Sequence, residues 1–240
     1  MNYMLGKIIV LWDIDGVVLD TPHEEAWRTI ALRWGAKEFT EEFYLKYVAG
    51  KPREEGAYNI MERLGLFKLH KCDVPEKRKQ LLKNFCDEKD ETFKQLILKG
   101  TYKVYEDALN AIIKLKENGL KNLAISASRN VLNILRRTPI RLKHYKTLYD
   151  IFDDHICGIG DKDKIFEEAL RRYRGLFYIV VEDSPHGIAK AKEFNFMTIG
   201  ICRKGHASPL ENAGADIVIR GELKYDDLRR LISRRLRKCL

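Results

Sequence analysis

The chain has 240 residues, 45% of them hydrophobic and 33% charged, so it can bury a core, and this composition excludes an intrinsically disordered chain. No apolar run approaches the length of a membrane span, and the apolar stretch 8–12 leads directly into Asp13, which is typical of a buried strand rather than a signal peptide. Five cysteines without a C-x-x-C pair indicate reduced thiols. We therefore expect a cytoplasmic protein without a membrane partner.

Much of the net charge of +9 lies at the end of the chain. There, arginines between 229 and 237 combine with Leu228, Leu231, Ile232 and Leu236 at helical spacing, which predicts a docked terminal helix with a solvated basic face. Positive charge also suits an anionic phosphate substrate through steering. Nucleic-acid binding by this helix is the alternative, but no recognised nucleic-acid motif accompanies the charge, so we expect no nucleic-acid partner.

Strand and helix patterns alternate in the second half of the chain. Two helical patterns, at 108–115 and 165–170, separate runs rich in β-branched and aliphatic residues. The runs typical of buried parallel strands are 7–12, 122–126, 177–182 and 197–202, with a weaker one at 216–219. This order predicts an α/β fold, a doubly wound Rossmann-like parallel sheet.

Residues 21–105 interrupt this alternation with successive helical patterns and no convincing strand. Trp27 and Trp34 lie at helical spacing with apolar neighbours, so we expect them in the core of this segment. The predicted organisation is therefore a Rossmann-like catalytic core made of 1–20 and 106–240, with 21–105 as an inserted helical domain.

Polar side chains follow three of the predicted strands, where ligands collect in open α/β sheets. Two lysines also open the helix that precedes the third of these strands. The residues are Asp13 and Asp15 after the first strand, Ser126, Ser128 and Arg129 after the second, Glu182 and Asp183 after the third, and the lysines Lys162 and Lys164. Carboxylate oxygens of this kind suit Mg²⁺, a hard cation held by carboxylates, water and substrate phosphate.

This set of groups indicates phosphoryl transfer. A carboxylate can attack phosphorus only if the approaching negative charges are neutralised, and a cation with a lysine would neutralise them. Asp13 and Asp15, two residues apart after a strand, can divide the roles of nucleophile and proton donor. Simple helix capping by these aspartates is the structural alternative.

The motifs resemble those of the haloacid dehalogenase superfamily. Asp13-Ile14-Asp15-Gly16 fits its D-x-D-G signature, and Ser126, a basic residue at a helix start and the segment 182–184 follow in the expected order. The resemblance covers nearly the whole chain. It implies that Asp13 forms an aspartyl-phosphate, that Asp15 protonates the leaving group and then activates the acceptor, and that Ser126 hydrogen-bonds the phosphoryl group.

The same resemblance implies the metal ligands and the active-site lysine. Asp13, the backbone carbonyl of Asp15 and Asp183 would bind Mg²⁺, with Glu182 as a further ligand or as the holder of a bound water. Many relatives carry K-P-x-P as the third motif, whereas residues 160–166 contain no proline. Lys162 fits a shorter form of this motif, and we prefer it to Lys164.

The inserted segment resembles the helical cap of the family's beta-phosphoglucomutase and phosphoglycolate phosphatase branch. Residues 23–27 and 50–55 carry this likeness, which implies that His23 lies near the hinge and the acid/base and that Arg53 faces the substrate. Packing at the cap junction is the alternative for His23. Ser128 and Arg129 are further candidate substrate-binding residues, although Arg129 could equally cap a helix. Ala49 stands where the mutase has a lysine.

The expected function is a Mg²⁺-dependent phosphatase that hydrolyses a small phosphorylated metabolite. A hexose-phosphate phosphomutase is the alternative, in which a sugar hydroxyl replaces water as acceptor. Asp13 and Asp15 would serve both reactions, so the core motifs do not separate them. A nucleic-acid-binding protein that uses the basic terminal helix is the distant alternative. We expect a monomer or a weak dimer.

Overall fold

The structure is a computed structural model that describes residues 7–49, 51–72, 74–128, 130–142, 144–174 and 177–238, without the side chains of 234–238. The chain forms two compact units. The core unit contains the chain up to Asp20 and again from Lys103 onwards, and the helical unit is Thr21–Tyr102. The chain therefore leaves the core after Asp20 and returns to it once, at Lys103.

The core unit is built on a six-stranded sheet whose paired strands are all parallel. Its strands are β1 Ile8–Asp13, β4 Lys121–Ser126, β7 Asp154–Cys157, β8 Phe177–Glu182, β9 Met197–Cys202 and β10 Ile217–Arg220. Their order across the sheet is β10-β9-β8-β1-β4-β7. All six residues of β1 are buried, as expected for a central strand covered on both faces. The predicted α/β fold class is confirmed.

Among the residues that the structure describes, four further short strands form two antiparallel pairs outside the main sheet. They are β2 Leu19–Asp20 with β3 Lys103–Val104, and β5 Pro139–Leu142 with β6 Tyr145–Thr147. The first pair lies where the chain leaves the core and where it returns, because β2 leads into Thr21 and β3 follows Tyr102. The return to the core thus lies three residues before the expected 105/106 boundary.

Helices of the core unit follow its strands. They are α6 Glu106–Glu117, α7 Val131–Arg137, α8 Lys162–Arg172, α9 Pro185–Glu193, α10 Ser208–Asn212 and α11 Tyr225–Lys238, with a 3₁₀ turn at Leu148–Ile151. The last helix buries Leu228 and Ile232 and exposes Arg229 and Arg230, as its amphipathic pattern requires. Within the described ranges, no helix is both long and apolar enough to cross a membrane.

The helical unit contains α1 His23–Arg33, α2 Glu41–Tyr47, α3 Arg53–Arg63, α4 Leu66–Leu69 and α5 Pro75–Leu98. Its core gathers the apolar faces of these helices around Phe85, which is fully buried. The ring of Trp27 stacks on Phe85 at 5.8 Å, and that of Trp34 meets it edge-on at 5.2 Å. The two tryptophans therefore pack as core residues, as their spacing predicts.

Candidate active site

The central strand β1 ends at Asp13, and a tight turn follows. Gly16 N–H donates to the Leu19 carbonyl, while the N–H groups of Val18 and Leu19 both donate to the Ile14 carbonyl. Asp13 is only 7% exposed at the carboxyl edge of the sheet. Asp15 is half-buried, one residue into the turn. The turn therefore places both predicted catalytic aspartates at this edge.

Gly16 is required in this turn for two reasons. Its φ of +83° lies in the left-handed region that other residues rarely adopt. A Cβ atom at this position would also overlap the carboxylate of Asp183. The glycine of the D-x-D-G motif thus makes room for a carboxylate from the neighbouring strand's end.

Lys162 is the first residue of α8, and its ammonium reaches two buried carboxylates. The Asp161 side chain caps this helix by accepting the Lys164 N–H at 3.4 Å. Lys162 Nζ lies 2.5 Å from Asp13 Oδ1 and 2.6 Å from Glu182 Oε2. Lys164 is exposed. Of the two candidate lysines, Lys162 is the one that contacts the predicted nucleophile.

The end of β8 supplies Glu182 and Asp183. Glu182 is 1% exposed and accepts the backbone N–H of Ser184 at 3.0 Å and its hydroxyl at 2.8 Å. Gly187 on the following helix leaves space for the Glu182 side chain, which a Cβ there would overlap. Asp13, Glu182 and Asp183 each offer an oxygen, and these atoms lie within 4.8 Å of one another.

Ser126 ends β4 next to β1, where Ile125 pairs with Asp13. Its side chain is buried, and its Oγ accepts the Ser128 N–H at 3.1 Å. Because Oγ already accepts a hydrogen bond there, its own hydrogen can be donated to a phosphoryl oxygen. Ser128 is half-buried and accepts the Asn130 N–H at 3.3 Å. Arg129 lies outside the described residues.

Burial and mutual repulsion disturb the titration of the carboxylates. Burial, followed by the charge of Glu182, raises the pKa of Asp13 well above its ordinary value. The same causes raise the pKa of Asp183. Burial alone would also raise the pKa of Glu182, but the charge and hydrogen bond of Lys162 bring it below its ordinary value. One lysine therefore does not neutralise the three carboxylates.

This excess of negative charge fits a divalent cation. The three side chains present only oxygen donors, which are the ligands that Mg²⁺ prefers. Burial, followed by the charge of Glu182, raises the pKa of Asp13 and of Asp183, and a bound cation would offset both effects. The residues present thus satisfy the requirements of a magnesium site.

In the helical unit, His23 packs against Lys89 and Phe93. The His23 ring stacks on Phe93 at 4.2 Å, and its Nδ1 lies 3.0 Å from Lys89 Nζ. Burial, and then the charge of Lys89, lower the pKa of His23 well below its ordinary value, so it is neutral near pH 7. Lys89 is only 4% exposed and lies over the Trp27 and Phe93 rings. The spacing of Lys89 between Phe85 and Phe93 on one helix face could have indicated its burial.

Arg53 is the first residue of α3. Its guanidinium pairs with the Asp90 carboxylate, and about half of its side chain is exposed. The resemblance of the cap segments implies that Arg53 faces the substrate, and this remains a prediction. Its ion pair lies within the helical unit, so an anionic ligand would compete with Asp90 for this guanidinium.

Sequence reasoning missed one buried cluster in the core unit. Arg203, which follows β9, donates from Nη1 to Asp107 Oδ2 at 2.8 Å and from Nη2 to the Val17 carbonyl at 2.9 Å. Its guanidinium also lies over the Tyr105 ring, with Cζ 3.7 Å from the ring centroid. Since Arg203 also follows a strand at its carboxyl end, the rule that identified Asp13 and Glu182 could have pointed to it.

Comparison with protein families identifies the class. The sequence model of the haloacid dehalogenase-like hydrolases matches residues 9–195. Since the match covers most of the chain, the protein belongs to this family and is an enzyme. The resemblance carried by the D-x-D-G, serine, lysine and Glu-Asp motifs is confirmed. Among curated proteins, none matches the chain significantly.

Solved structures similar to this chain include mutases and a phosphatase. An archaeal beta-phosphoglucomutase from the hyperthermophile Pyrococcus sp. strain ST 04 is 35% identical, with a TM-score of 0.81 over 94% of this chain and 99% of that one. A putative beta-phosphoglucomutase from Thermotoga maritima is 26% identical, with a TM-score of 0.64 over 92% and 98%. A predicted phosphoglycolate phosphatase from Haemophilus somnus 129PT shares the fold at 13% identity, with a TM-score of 0.70 over 93% and 97%.

Proposed function

We propose that the protein is a Mg²⁺-dependent phosphatase that hydrolyses a small phosphate ester through an aspartyl-phosphate on Asp13. The observation that carries this proposal is the environment of Asp13. Its buried carboxylate lies 2.5 Å from the Lys162 ammonium, and Glu182 and Asp183 offer oxygens within 4.8 Å of it and of one another. This arrangement supplies a nucleophile, a fixed positive charge and ligands for a cation at one point.

Asp13, Asp183 and the backbone carbonyl of Asp15 would hold Mg²⁺, with Glu182 as a further ligand or through water. When bound, the cation neutralises negative charge on the phosphoryl oxygens and on Asp13. Glu182 also fixes Lys162, because the two side chains form a buried ion pair at 2.6 Å. The lysine thereby remains directed at Asp13 rather than towards solvent.

In the first step, Asp13 attacks phosphorus and the bond from phosphorus to the leaving oxygen breaks. Lys162 and the Ser126 hydroxyl stabilise the charge on the phosphoryl oxygens. Asp15 donates a proton to the leaving oxygen, so that an alcohol departs rather than an alkoxide. The products of this step are the alcohol and the aspartyl-phosphate.

In the second step, Asp15 acts as a base. It removes a proton from water, and the resulting hydroxide attacks phosphorus while the bond to Asp13 breaks. Inorganic phosphate leaves, and both aspartates return to their starting states. Asp15 can serve in both steps because it ends the first step deprotonated, and the proton that it then takes from water replaces the one that left with the alcohol.

A hexose-phosphate phosphomutase is the second candidate. The 35% identity to the beta-phosphoglucomutase from Pyrococcus over 94% of this chain favours it. In that reaction a sugar hydroxyl takes the place of water in the second step. The roles of Asp13, Asp15 and Lys162 would be unchanged.

One assay separates the two candidates. The protein is incubated with Mg²⁺ and a panel of phosphate esters that includes phosphoglycolate, glycerol phosphate and β-glucose 1-phosphate with a trace of glucose 1,6-bisphosphate. Inorganic phosphate and glucose 6-phosphate are both followed. Release of phosphate from several esters supports the phosphatase, whereas formation of glucose 6-phosphate without release of phosphate would replace it with the mutase.

A further inference from the structure

A largely buried arginine, Arg203, holds the turn that carries Asp15. The backbone of this turn is closed by its own hydrogen bonds between Ile14 and Leu19. Two of its carbonyls are bonded from outside instead. The Val18 carbonyl accepts the Tyr105 N–H at 2.9 Å, and the Val17 carbonyl accepts Arg203 Nη2 at 2.9 Å. Arg203 is therefore the side chain that fixes the turn two residues beyond Asp15.

Arg203 is itself rigidly placed. Both its terminal nitrogens reach the Asp107 carboxylate, Nη1 at 2.8 Å and Nη2 at 3.1 Å, and the two side chains are only 11% and 10% exposed. Asp107 also accepts the Leu223 N–H at 2.6 Å. Burial alone would raise the pKa of Asp107, but the hydrogen bonds from Arg203 and Leu223 bring it below its ordinary value. The carboxylate is thus charged and holds the guanidinium through two hydrogen bonds.

The guanidinium has a third contact, on its face. Its Cζ lies over the Tyr105 ring, 3.7 Å from the ring centroid. A planar guanidinium can satisfy a carboxylate, a carbonyl and a ring together, whereas an ammonium on a flexible stem cannot. Two of these contacts come from α6 and the residue before it, and Arg203 itself directly follows β9, so the turn is tied to regular elements of the core.

We infer that Arg203 is a positioning residue for the proton-donating step, because its bond to the Val17 carbonyl holds the Asp15 turn in register with Asp13. This inference rests on the proposed function. Without this bond the Val17 carbonyl loses its partner, and the turn can shift by a fraction of an ångström. A misplacement of about 1 Å lowers a rate by about a hundredfold, so a smaller shift of the proton donor should lower it by about tenfold.

The test compares leaving groups. Phosphoryl transfer to Asp13 from glycerol phosphate needs a proton for the departing alkoxide, whereas p-nitrophenyl phosphate releases a stable phenolate that needs none. The quantity to measure is kcat/KM, which reports the steps up to that transfer and excludes later hydrolysis of the aspartyl-phosphate. For Arg203→Met we expect the ratio of the alkyl to the aryl kcat/KM to fall by about tenfold or more.

Four companion variants are measured in the same way. Asp15→Asn removes the proton donor itself, so it shows the largest fall in the ratio that loss of proton donation can produce. Arg203→Lys keeps the positive charge but not the planar guanidinium, so its ratio should lie between those of Arg203→Met and the wild type. Asp107→Asn keeps an acceptor for the Leu223 N–H but weakens the hydrogen bonds to Arg203. It should therefore lower the ratio of the alkyl to the aryl kcat/KM even if Arg203→Met does not fold. Arg220→Met removes a 72% exposed arginine paired with Glu211 and should leave the ratio unchanged.

A fall of both kcat/KM values by the same factor in Arg203→Met and Asp107→Asn would overturn the inference, because a merely structural role weakens the site for both esters alike. Circular dichroism and thermal melting of each variant establish that folded protein is being assayed. If the wild-type protein turns over neither ester, this result counts against the proposed function instead. The two kinds of failure are therefore distinguishable.

Discussion

At the carboxyl edge of the sheet, the Asp183 carboxylate lies where a Cβ atom of residue 16 would be, and it fits there because residue 16 is Gly16. The two residues come from neighbouring parts of the sheet, since β1 pairs with β8. The motif glycine is thus explained by the approach of a predicted metal ligand, and its backbone conformation is only part of the reason.

Gly16→Ala is expected to abolish activity and to weaken the response to Mg²⁺. Gly119→Ala is a matched control, because Gly119 has the same φ of +83° but no atom within 4 Å of its Cβ position. Both changes cost about 1–2 kcal/mol of backbone strain, but only the first displaces Asp183. Activity titrated with Mg²⁺ checks this, and equal activity losses in the two variants would show that backbone strain alone is responsible.

Lys162→Met should reduce kcat/KM by about a hundredfold or more, since it removes the positive charge beside Asp13. It also leaves two buried carboxylates without their partner, so the metal-free protein should lose about 3–5 kcal/mol of unfolding free energy. Lys164→Met is the control two residues further on, and it should change neither quantity. Steady-state kinetics and urea unfolding measure both; a larger effect of Lys164→Met would reverse the choice of lysine.

Asp13→Asn should eliminate turnover while stabilising the metal-free protein by about 1 kcal/mol, as functional sites often trade stability for activity. The physical reason is the burial of the charged Asp13 carboxylate and then its repulsion by Glu182, both of which raise its pKa and are relieved by the neutral amide. Thermal melting in a chelator measures the stability. If the variant keeps full activity, Asp13 is not the nucleophile; if it melts below the wild type, the carboxylates do not repel one another as described.

The neutral state of His23 gives stability a dependence on pH. Its pKa is lowered in the folded protein, so the unfolded chain binds a proton first as the pH falls below about 6.5. Stability should therefore be lost in acid by up to about 1.4 kcal/mol per pH unit. His23→Gln, which keeps an acceptor for Lys89, should lose less between pH 8 and 5. Urea unfolding at both pH values, with the exposed His186→Gln as control, tests this; identical losses in all three proteins would contradict it.

Arg53 remains a predicted substrate-binding residue. If it contacts an anionic group on the leaving part of the substrate, Arg53→Met should raise KM for phosphoglycolate by about tenfold, the worth of one charge-assisted hydrogen bond. KM for p-nitrophenyl phosphate, which lacks a second anionic group, should not change. Lys83→Met is the control, since Lys83 is a 69% exposed cation of the same helical unit. Equal changes for both esters would remove Arg53 from substrate recognition.

The central strands were predictable because they are buried on both faces and their sequences are rich in aliphatic and β-branched residues. The edge strand Asp154–Cys157 was missed for the opposite reason. It pairs on one side only, with β4, and its sequence Asp-His-Ile-Cys carries two polar residues. Only pairing with a distant segment makes this stretch a strand, and local pattern does not contain that information.

The site divides in the same way. Asp13, Ser126 and Asp183 were found because a topological rule collects the residues that follow strands at one edge. The Arg203 cluster was not found, because its meaning depends on contacts among Val17, Tyr105 and Asp107 that sequence spacing does not reveal. The same holds for the pairing of Arg53 with Asp90, residues that are far apart in the chain and are joined only by the packing of two helices.

The antiparallel pairing of Leu19–Asp20 with Lys103–Val104 makes the helical unit a very long hairpin loop of the core. The two ends of the unit are already held side by side, and the entropy of closing a loop grows only logarithmically with its length. The stability of the core therefore depends little on the length or content of this loop. A lineage could exchange this module, or an engineer could graft another between Asp20 and Lys103, while the residues around Asp13 stay in place.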